Sequence, residues 1–356
     1  MGHVEISRGE KRWVEVKAAL GRKKISAWVC AIGGAGEGPT LALLAGQHGM
    51  EPTGPAVLSA LAADLRPGDL SGNLLVVPLV YANAMRHGYE CEPIAGREKE
   101  AARTGRWHNQ CPYALDRNKC GRNFNRLWHG GKARSVYERL AAALWEEVIV
   151  PAQYVIDFHC WQDWAPPGVL TTSEAALELG KWAGISWIHH RTKESALDKV
   201  MLAERVCASG RPFDHAQGRP EPVEGRVGLT IEFTPQTRIM ADMAAVGRYG
   251  IENVMRRLGM LPGRPTATRP LYLLGQEKGD WQPLKASADV LVLPTRKPGD
   301  WVTQGQAAAR IVEIDRPWKM SVLKAPCDGI VYSTEPSSAV RKGAEMMLFR
   351  KAKRLA

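Results

Sequence analysis

Long apolar runs are missing from this sequence of 356 residues. A membrane-spanning helix needs about 18 consecutive apolar residues, and the most apolar stretches, at residues 40–45 and 74–80, are far shorter. The first residues are Met-Gly-His-Val-Glu, a polar start that does not have the pattern of a signal peptide. We therefore expect a cytoplasmic protein with no membrane partner.

Paired cysteine motifs and phosphate-binding glycine motifs are missing as well. The seven cysteines are scattered, and none stands in a Cys-x-x-Cys pair, which argues against a zinc ribbon or a disulfide framework. Residues 31–39 are rich in glycine but lack the Gly-x-Gly-x-x-Gly spacing, and a strand rather than a helix follows them. We interpret this segment as a turn.

Positive charge is in excess. The chain has 48 Lys and Arg against 37 Asp and Glu, which gives a net charge of +11. Such a charge suits either nucleic acid or a small anionic substrate. The basic residues do not cluster in a patch, and the densest run, at positions 350–354, is interpreted as a solvated tail. We expect no nucleic-acid partner.

Strands of the buried type alternate with amphipathic helices over residues 1–265. This alternation is typical of an α/β domain whose central, mixed or mostly parallel sheet is flanked by helices. The predicted strands lie at residues 13–16, 26–30, 40–45, 74–80, 154–158, 184–188 and 228–233, and the predicted helices at 55–65, 135–147, 175–183, 197–208 and 240–258.

The composition changes towards the C-terminus. Short β-type runs separated by Gly and Pro turns, with little helical pattern, predict a small all-β domain with its linker at residues 266–356. A second irregularity is the polar segment at 211–225, which three prolines interrupt. We interpret it as an exposed loop without a chemical role.

Two strand ends carry candidate metal ligands. His48 and Glu51, in Gly-Gln-His-Gly-Met-Glu, follow one predicted strand, and His159 ends another, in Asp-Phe-His. Ligands in α/β sheets bind at the carboxyl ends of strands. Taken singly, each histidine is better explained as a core residue. Together, two histidines and one glutamate with an open position suit a hydrolytic zinc site, with Asp157 as outer support.

Two further segments carry polar groups that suit catalysis. Glu232 lies on an otherwise apolar strand, where it is either a solvent-facing strand end or a general base. Asn125 and Arg126 follow a long polar loop, and a guanidinium group matches the shape of a carboxylate. A surface arginine in a loop is the simpler interpretation of that pair on its own.

In the order HGME, NFNR, DFH and IEF, these four segments resemble the succinylglutamate desuccinylase/aspartoacylase family, a branch of the zinc carboxypeptidase-like fold. The resemblance implies one Zn²⁺ per chain. It implies Glu232 as the catalytic base and acid. The residues that it implies are the metal ligands His48, Glu51 and His159, the substrate or oxyanion contacts Asn125 and Arg126, and a further substrate arginine, either Arg117 or Arg122.

The chain departs from the family pattern in two places. Met50 replaces the usual Asp or Asn between the ligands, which should leave the metal site intact. The Phe-Pro-Gly that often follows the Asn-Arg pair is replaced by Leu127-Trp128-His129, and we expect Trp128 and His129 to line the pocket. The C-terminal domain resembles a biotinyl/lipoyl-like β-barrel, as in many bacterial members.

The sequence thus predicts a zinc-dependent amidohydrolase that removes an acyl group from an N-acyl amino acid or a similar small anionic amide. One alternative is a metallocarboxypeptidase acting on peptides, since the ligands would be the same. Another is a non-catalytic binding protein of the same fold. The acyl group, the amine and the oligomeric state stay open, a homo-oligomer included.

Overall fold

The computed structural model describes residues 4–87, 123–128, 133–191, 202–208, 225–335 and 338–355. Within these ranges the chain forms a 13-stranded mixed sheet and a separate four-stranded sheet. The strands are β1 Lys11–Leu20, β2 Lys23–Gly33, β3 Gly36–Ala45, β4 Ser71–Val77, β5 Tyr154–Cys160, β6 Gly168–Thr171, β7 Trp187–His190, β8 Val227–Phe233, β9 Tyr272–Leu274, β10 Trp281–Lys285, β11 Val290–Pro294, β12 Trp301–Val302, β13 Ala307–Glu313, β14 Arg316–Lys324, β15 Gly329–Thr334, β16 Ala339–Val340 and β17 Glu345–Arg354.

The centre of the large sheet is parallel. β3 pairs with β4 on one side and with β5 on the other, and β5 pairs with β8, all in the parallel sense. Residues 41–45 of β3 are completely buried, as expected for a strand that is covered on both faces. The carboxyl ends of β3, β5 and β8 therefore lie side by side at one end of the sheet.

Helices cover both faces of this sheet. Leu41 and Leu43 of β3 enter one core, which Thr53–Asp64 and Ala241–Arg257 cover, while Leu44 enters the opposite core. The described helices are Thr53–Asp64, Ala82–His87, Val136–Leu144, Glu174–Gly180, Leu202–Ala208 and Ala241–Arg257. The predicted α/β architecture with a mixed central sheet is confirmed.

The C-terminal strands extend the large sheet. β17 pairs with β9, which pairs with β7, and β15, β12 and β10 continue on the far side. The other strands, β11, β13, β14 and β16, form the four-stranded sheet, and both sheets contribute to one apolar core. The predicted small β-barrel is not confirmed: one group of C-terminal strands continues the large sheet, and the other group forms a sheet of its own. The division at residue 265 stays a prediction.

Most predicted elements are present with shifted ends. The strand predicted at 74–80 ends at Val77, because Pro78 has no N–H for the ladder. The helix predicted at 135–147 begins after Ser135, which is its N-cap, but the regular α-helix stops at Leu144 and a π-helical turn, Trp145–Ile149, follows. Of the predicted insertion at 211–225, only Gly225 lies within the described residues. No helix in the described ranges is long and apolar enough to cross a membrane.

Candidate active site

The candidate ligands lie where the parallel strands end. β3 stops at Ala45, and Gly46 has a φ of +70°, a conformation that residues with a Cβ rarely adopt. This turn precedes His48 and Glu51, which lie just before helix Thr53–Asp64. His159 is the second-last residue of β5. The expected placement at the carboxyl ends of the strands is found.

The structure brings the three predicted ligands together. Their candidate ligand atoms lie within 4.8 Å of one another, and all three residues are buried. His48 Nδ1 lies 2.8 Å from Glu51 Oε1, and His159 Nδ1 lies 2.9 Å from Glu51 Oε2. The glutamate thus holds one imidazole at each of its oxygens.

The second nitrogen of each imidazole, Nε2, is hydrogen-bonded to an oxygen of a residue outside the three candidate ligands. His48 Nε2 lies 3.0 Å from Asn123 Oδ1, and His159 Nε2 lies 2.9 Å from Asp157 Oδ2. The Asn123 oxygen also accepts from the backbone N–H of Asn125, which fixes it as the acceptor. Both histidines therefore keep the proton on Nε2, and both direct Nδ1 towards Glu51.

The histidines and Glu51 shift the pKa values of one another. Burial alone would raise the pKa of Glu51, but the positive charges of His48 and His159 outweigh it and hold the pKa far below its usual range. Burial alone would lower the pKa of His159, but the carboxylates of Asp157 and Glu51 raise it well above its usual value.

This donor set fits a divalent cation. Two Nδ1 atoms facing one carboxylate require positive charge between them, from protons or from a metal ion. Neutral imidazole and ionised carboxylate are the forms that bind metals, so a cation would replace the protons. Two nitrogens and one oxygen suit zinc, and outer hydrogen bonds on both imidazoles are usual at zinc sites.

Glu232 lies beside this cluster. It is the cross-strand partner of His159, and its side chain is buried. The pKa of Glu232 is raised to about 8, chiefly by burial. The neighbouring carboxylates of Glu51 and Asp157 also raise it, whereas the positive charges of His48 and His159 lower it. With these side chains alone, the carboxyl group is protonated at neutral pH.

The predicted substrate residues occupy different environments. Asn125 is buried, and its Nδ2 lies 3.3 Å from His159 Nε2. Arg126 ends a short 3₁₀ helix, Phe124–Arg126, and is exposed. Their contact with a substrate stays a prediction. Arg117 and Arg122 lie outside the described residues.

Sequence reasoning missed several polar residues that contact the site. Gln236 Nε2 donates to Glu51 Oε1 at 3.3 Å, and Gln47 Nε2 donates to Asp157 at 2.7 Å. Gln47 directly follows the Gly46 turn, and that position is the one local signal that could have indicated it. The expectation that Trp128 lines the pocket is wrong, because Trp128 is only 1% exposed. His129 lies outside the described residues.

A family comparison covers the segment that carries the three candidate ligands. Residues 37–163 match the family model described as the succinylglutamate desuccinylase/aspartoacylase catalytic domain. Over these residues the chain is similar to the succinylglutamate desuccinylase/aspartoacylase family. The matched range includes His48, Glu51 and His159, whereas Glu232 lies beyond it. The resemblance inferred from the four ordered motifs is confirmed.

Known proteins and solved structures match most of the chain. The N-alpha-acetyl-L-2,4-diaminobutyric acid deacetylase of Halomonas elongata is 24% identical over 319 residues, which cover 86% of this chain and 81% of that protein. A crystal structure of succinylglutamate desuccinylase/aspartoacylase from Rhodobacter sphaeroides has a TM-score of 0.68 at 19% identity and covers 100% of this chain and 99% of that one. The product-bound ectoine utilization protein EutE (DoeB) from Ruegeria pomeroyi has a TM-score of 0.67 at 20% identity, with coverages of 98% and 97%. This chain therefore shares its fold with these structures.

Proposed function

We propose that this chain is a zinc-dependent deacylase that hydrolyses the amide bond of an N-acylated amino acid or a similar small amide. The products are a carboxylate and a free amine. The observation that carries the proposal is the meeting of His48, Glu51 and His159 beside the buried Glu232. The similarity to a relative that is named as a deacetylase of an N-acetylated amino acid supports the same substrate class.

The ligands and Glu232 divide the chemistry. Zinc held by His48, Glu51 and His159 would polarise the amide carbonyl and lower the pKa of water. Glu232 takes a proton from the attacking water and passes it to the leaving amine, as general base and then general acid. A base must be ionised, and a cation at the three ligands favours that form because opposite charges lower the pKa of a carboxyl group.

The substrate partner in this proposal is a small anion. Arg126 is exposed at the end of its short helix and offers a guanidinium group to a substrate carboxylate. Membranes and nucleic acids are not part of the proposed function, and we place the enzyme in the cytoplasm.

The first experiment is the zinc content of the purified protein and of His159→Ala. We expect about one zinc per chain, lost in the variant, since two remaining ligands do not hold a structural or catalytic zinc. No zinc in the wild-type protein after reconstitution would contradict the proposal and favour a binding protein of the same fold.

The second experiment compares turnover of N-acyl amino acids by the zinc-loaded protein and by Glu232→Gln. We expect the variant to keep its zinc and to lose about 10²-fold or more in kcat/KM, as for other general bases. Glu37→Gln, the same change at an exposed residue of β3, should retain full activity. Equal turnover by wild type and Glu232→Gln would refute this mechanism, and release of C-terminal residues from peptides alone would favour a carboxypeptidase.

A further inference from the structure

A chain of hydrogen bonds runs from a buried tryptophan to one of the candidate ligands. Trp128 Nε1 donates to Gln47 Oε1 at 2.7 Å. Gln47 Nε2 donates to both oxygens of Asp157, each at 2.7 Å. Asp157 Oδ2 in turn lies 2.9 Å from His159 Nε2. All four residues are at most 2% exposed, so water does not compete for these bonds.

The chemistry of each group fixes the direction of this chain. An indole N–H can only donate, so the oxygen of the Gln47 amide must face Trp128. The NH₂ of Gln47 then faces Asp157, which accepts as a carboxylate. Asp157 consequently also accepts the Nε2 proton of His159, so Nδ1 is the nitrogen that faces Glu51 and that would bind a metal ion in place of its own proton.

Asp157 and Trp128 both select this amide orientation. If the amide of Gln47 rotated by 180°, its oxygen would face the Asp157 carboxylate at hydrogen-bond distance, where two acceptors repel each other. With Trp128 present, the rotated amide would also direct its NH₂ at the indole N–H. Removing the indole donor removes that second cost and leaves the buried Asp157 charge less firmly solvated.

We propose that Trp128 and Gln47 are positioning residues that act through Asp157 to hold His159 in its metal-binding tautomer and orientation. Trp128 stands in the segment where the family often has Phe-Pro-Gly, and proline and glycine carry no side-chain donor. The Trp128 end of the chain of hydrogen bonds is therefore a feature of this chain's own sequence. The inference rests on the metal site of the proposed function, but its test measures metal binding rather than turnover.

The test is the zinc affinity of the full chain, stripped with a chelator and titrated against a chromophoric competitor. Trp128→Phe keeps an aromatic ring but removes the indole N–H together with the pyrrole part of the side chain, and we expect it to weaken zinc binding by about 10-fold, the lower range for outer partners of a metal ligand. Trp145→Phe makes the same chemical change at another tryptophan buried in the same core. We expect it to change zinc affinity less than about 2-fold.

A second variant separates positioning from general destabilisation. If Trp128 acts through Gln47, then Gln47→Met alone and the double variant Trp128→Phe/Gln47→Met should bind zinc equally weakly, because neighbours in one network are not additive. Losses that add, or a Trp128→Phe variant that binds zinc as tightly as wild type, would overturn the proposal. Should Trp128→Phe not fold, Gln47→Met must still weaken zinc binding by about 10-fold, and an unchanged affinity would overturn the proposal.

The outcome for this proposal is separable from that of the proposed function. If zinc affinity depends on Trp128 but the protein shows no turnover, the proposed deacylase function is refuted and the positioning role is supported. If the protein turns over substrate and its zinc affinity does not change on substitution of Trp128 or Gln47, the deacylase function is supported and the positioning role is refuted. A wild-type chain that binds no zinc would overturn both.

Discussion

Glu232 is buried, which favours its protonated form, whereas its proposed role as a general base requires the ionised carboxylate. Its pKa of about 8 in the folded protein lies above the ordinary value of 4.5, chiefly because burial disfavours the ionised form. Such a group contributes stability that is fully present below the unfolded-state pKa and is lost as the pH rises through the folded-state pKa. Deprotonation of Glu232 therefore destabilises the metal-free protein between about pH 4.5 and 8.

Glu232→Gln should make the metal-free protein more resistant to heat in alkaline than in acidic solution, relative to wild type. The glutamine does not titrate, so the gain in Tm over wild type should be larger at pH 9 than at pH 5. Thermal unfolding followed by circular dichroism in the presence of a chelator measures it. Glu37→Gln serves as the exposed control and should show the same Tm difference at both pH values. An equal difference for Glu232→Gln at the two pH values would contradict the assigned burial effect.

Strand ends indicated His48, Glu51, His159 and Glu232 as candidates, and only the resemblance of four ordered motifs to one family assigned them expected roles. The groups that orient them were not predictable in the same way. Asn123 reaches His48 from a position 75 residues away along the chain. An asparagine in a loop has no periodic signal, so its partner depends on how distant segments pack.

At the scale of elements, β6 brings two rings against the strand that carries Glu232. Gly168 of β6 is the cross-strand partner of Glu232. A Cβ at Gly168 would lie 2.8 Å from Trp161 Cζ2 and 3.1 Å from His189 Nε2, both closer than ordinary contact. Glycine at this position therefore allows Trp161 and His189 to pack directly on the sheet beside the candidate active site.

Gly168→Ala should destabilise the protein by about 1–3 kcal/mol, the usual cost of overpacking a filled core. Urea unfolding of the metal-free protein measures this change. Gly68→Ala provides the control, since a Cβ at Gly68 meets no atom within 4 Å. If Gly168→Ala has the same free energy of unfolding as Gly68→Ala, the Trp161 and His189 rings move aside without destabilising the protein.

Strands whose residues are buried were predicted well, and exposed strands were not. β8 is buried along its whole length and appears in the sequence as an apolar run. β14, Arg316–Lys324, is exposed at all positions except Leu323, because it lies at the edge of the four-stranded sheet. Its apolar residues Trp318, Met320 and Val322 alternate along the strand but are exposed, so the alternation does not mark a buried face, and pairing with β13 decides its conformation.

For the whole molecule, the order of an α/β region followed by an all-β region was predictable from composition. The continuity of the large sheet was not. β17 joins it through β9 and β7, which are far away in sequence. A short alternating strand has the same local pattern in a closed barrel and in an extended sheet. The choice depends on long-range pairing, which the sequence of one strand does not specify.

The interpretation of residues 350–354 as a solvated tail is wrong for Arg350, which is buried in β17 and ties the C-terminal strands to the α/β region. Its guanidinium group is completely buried, and it donates to the backbone oxygen of Gly275 and, at 2.7 Å, to Nδ1 of His189. Its Cζ lies 3.9 Å from the centre of the Trp281 ring. Burial lowers the pKa of Arg350 to about 10, which still leaves a cation at neutral pH.

Arg350→Lys should therefore destabilise the whole molecule although it keeps the charge. A lysine cannot reproduce the planar fork that serves Gly275 and His189 together, and a buried acceptor without its donor costs about 1–3 kcal/mol. Urea unfolding measures this cost, with Arg310→Lys on the exposed side of β13 as the matched control, expected within about 0.5 kcal/mol of wild type. If Arg350→Lys were as stable as the control, the fork would not hold the two regions together. A loss confined to Arg350→Lys would mean that the α/β region and the C-terminal strands depend on one buried cation.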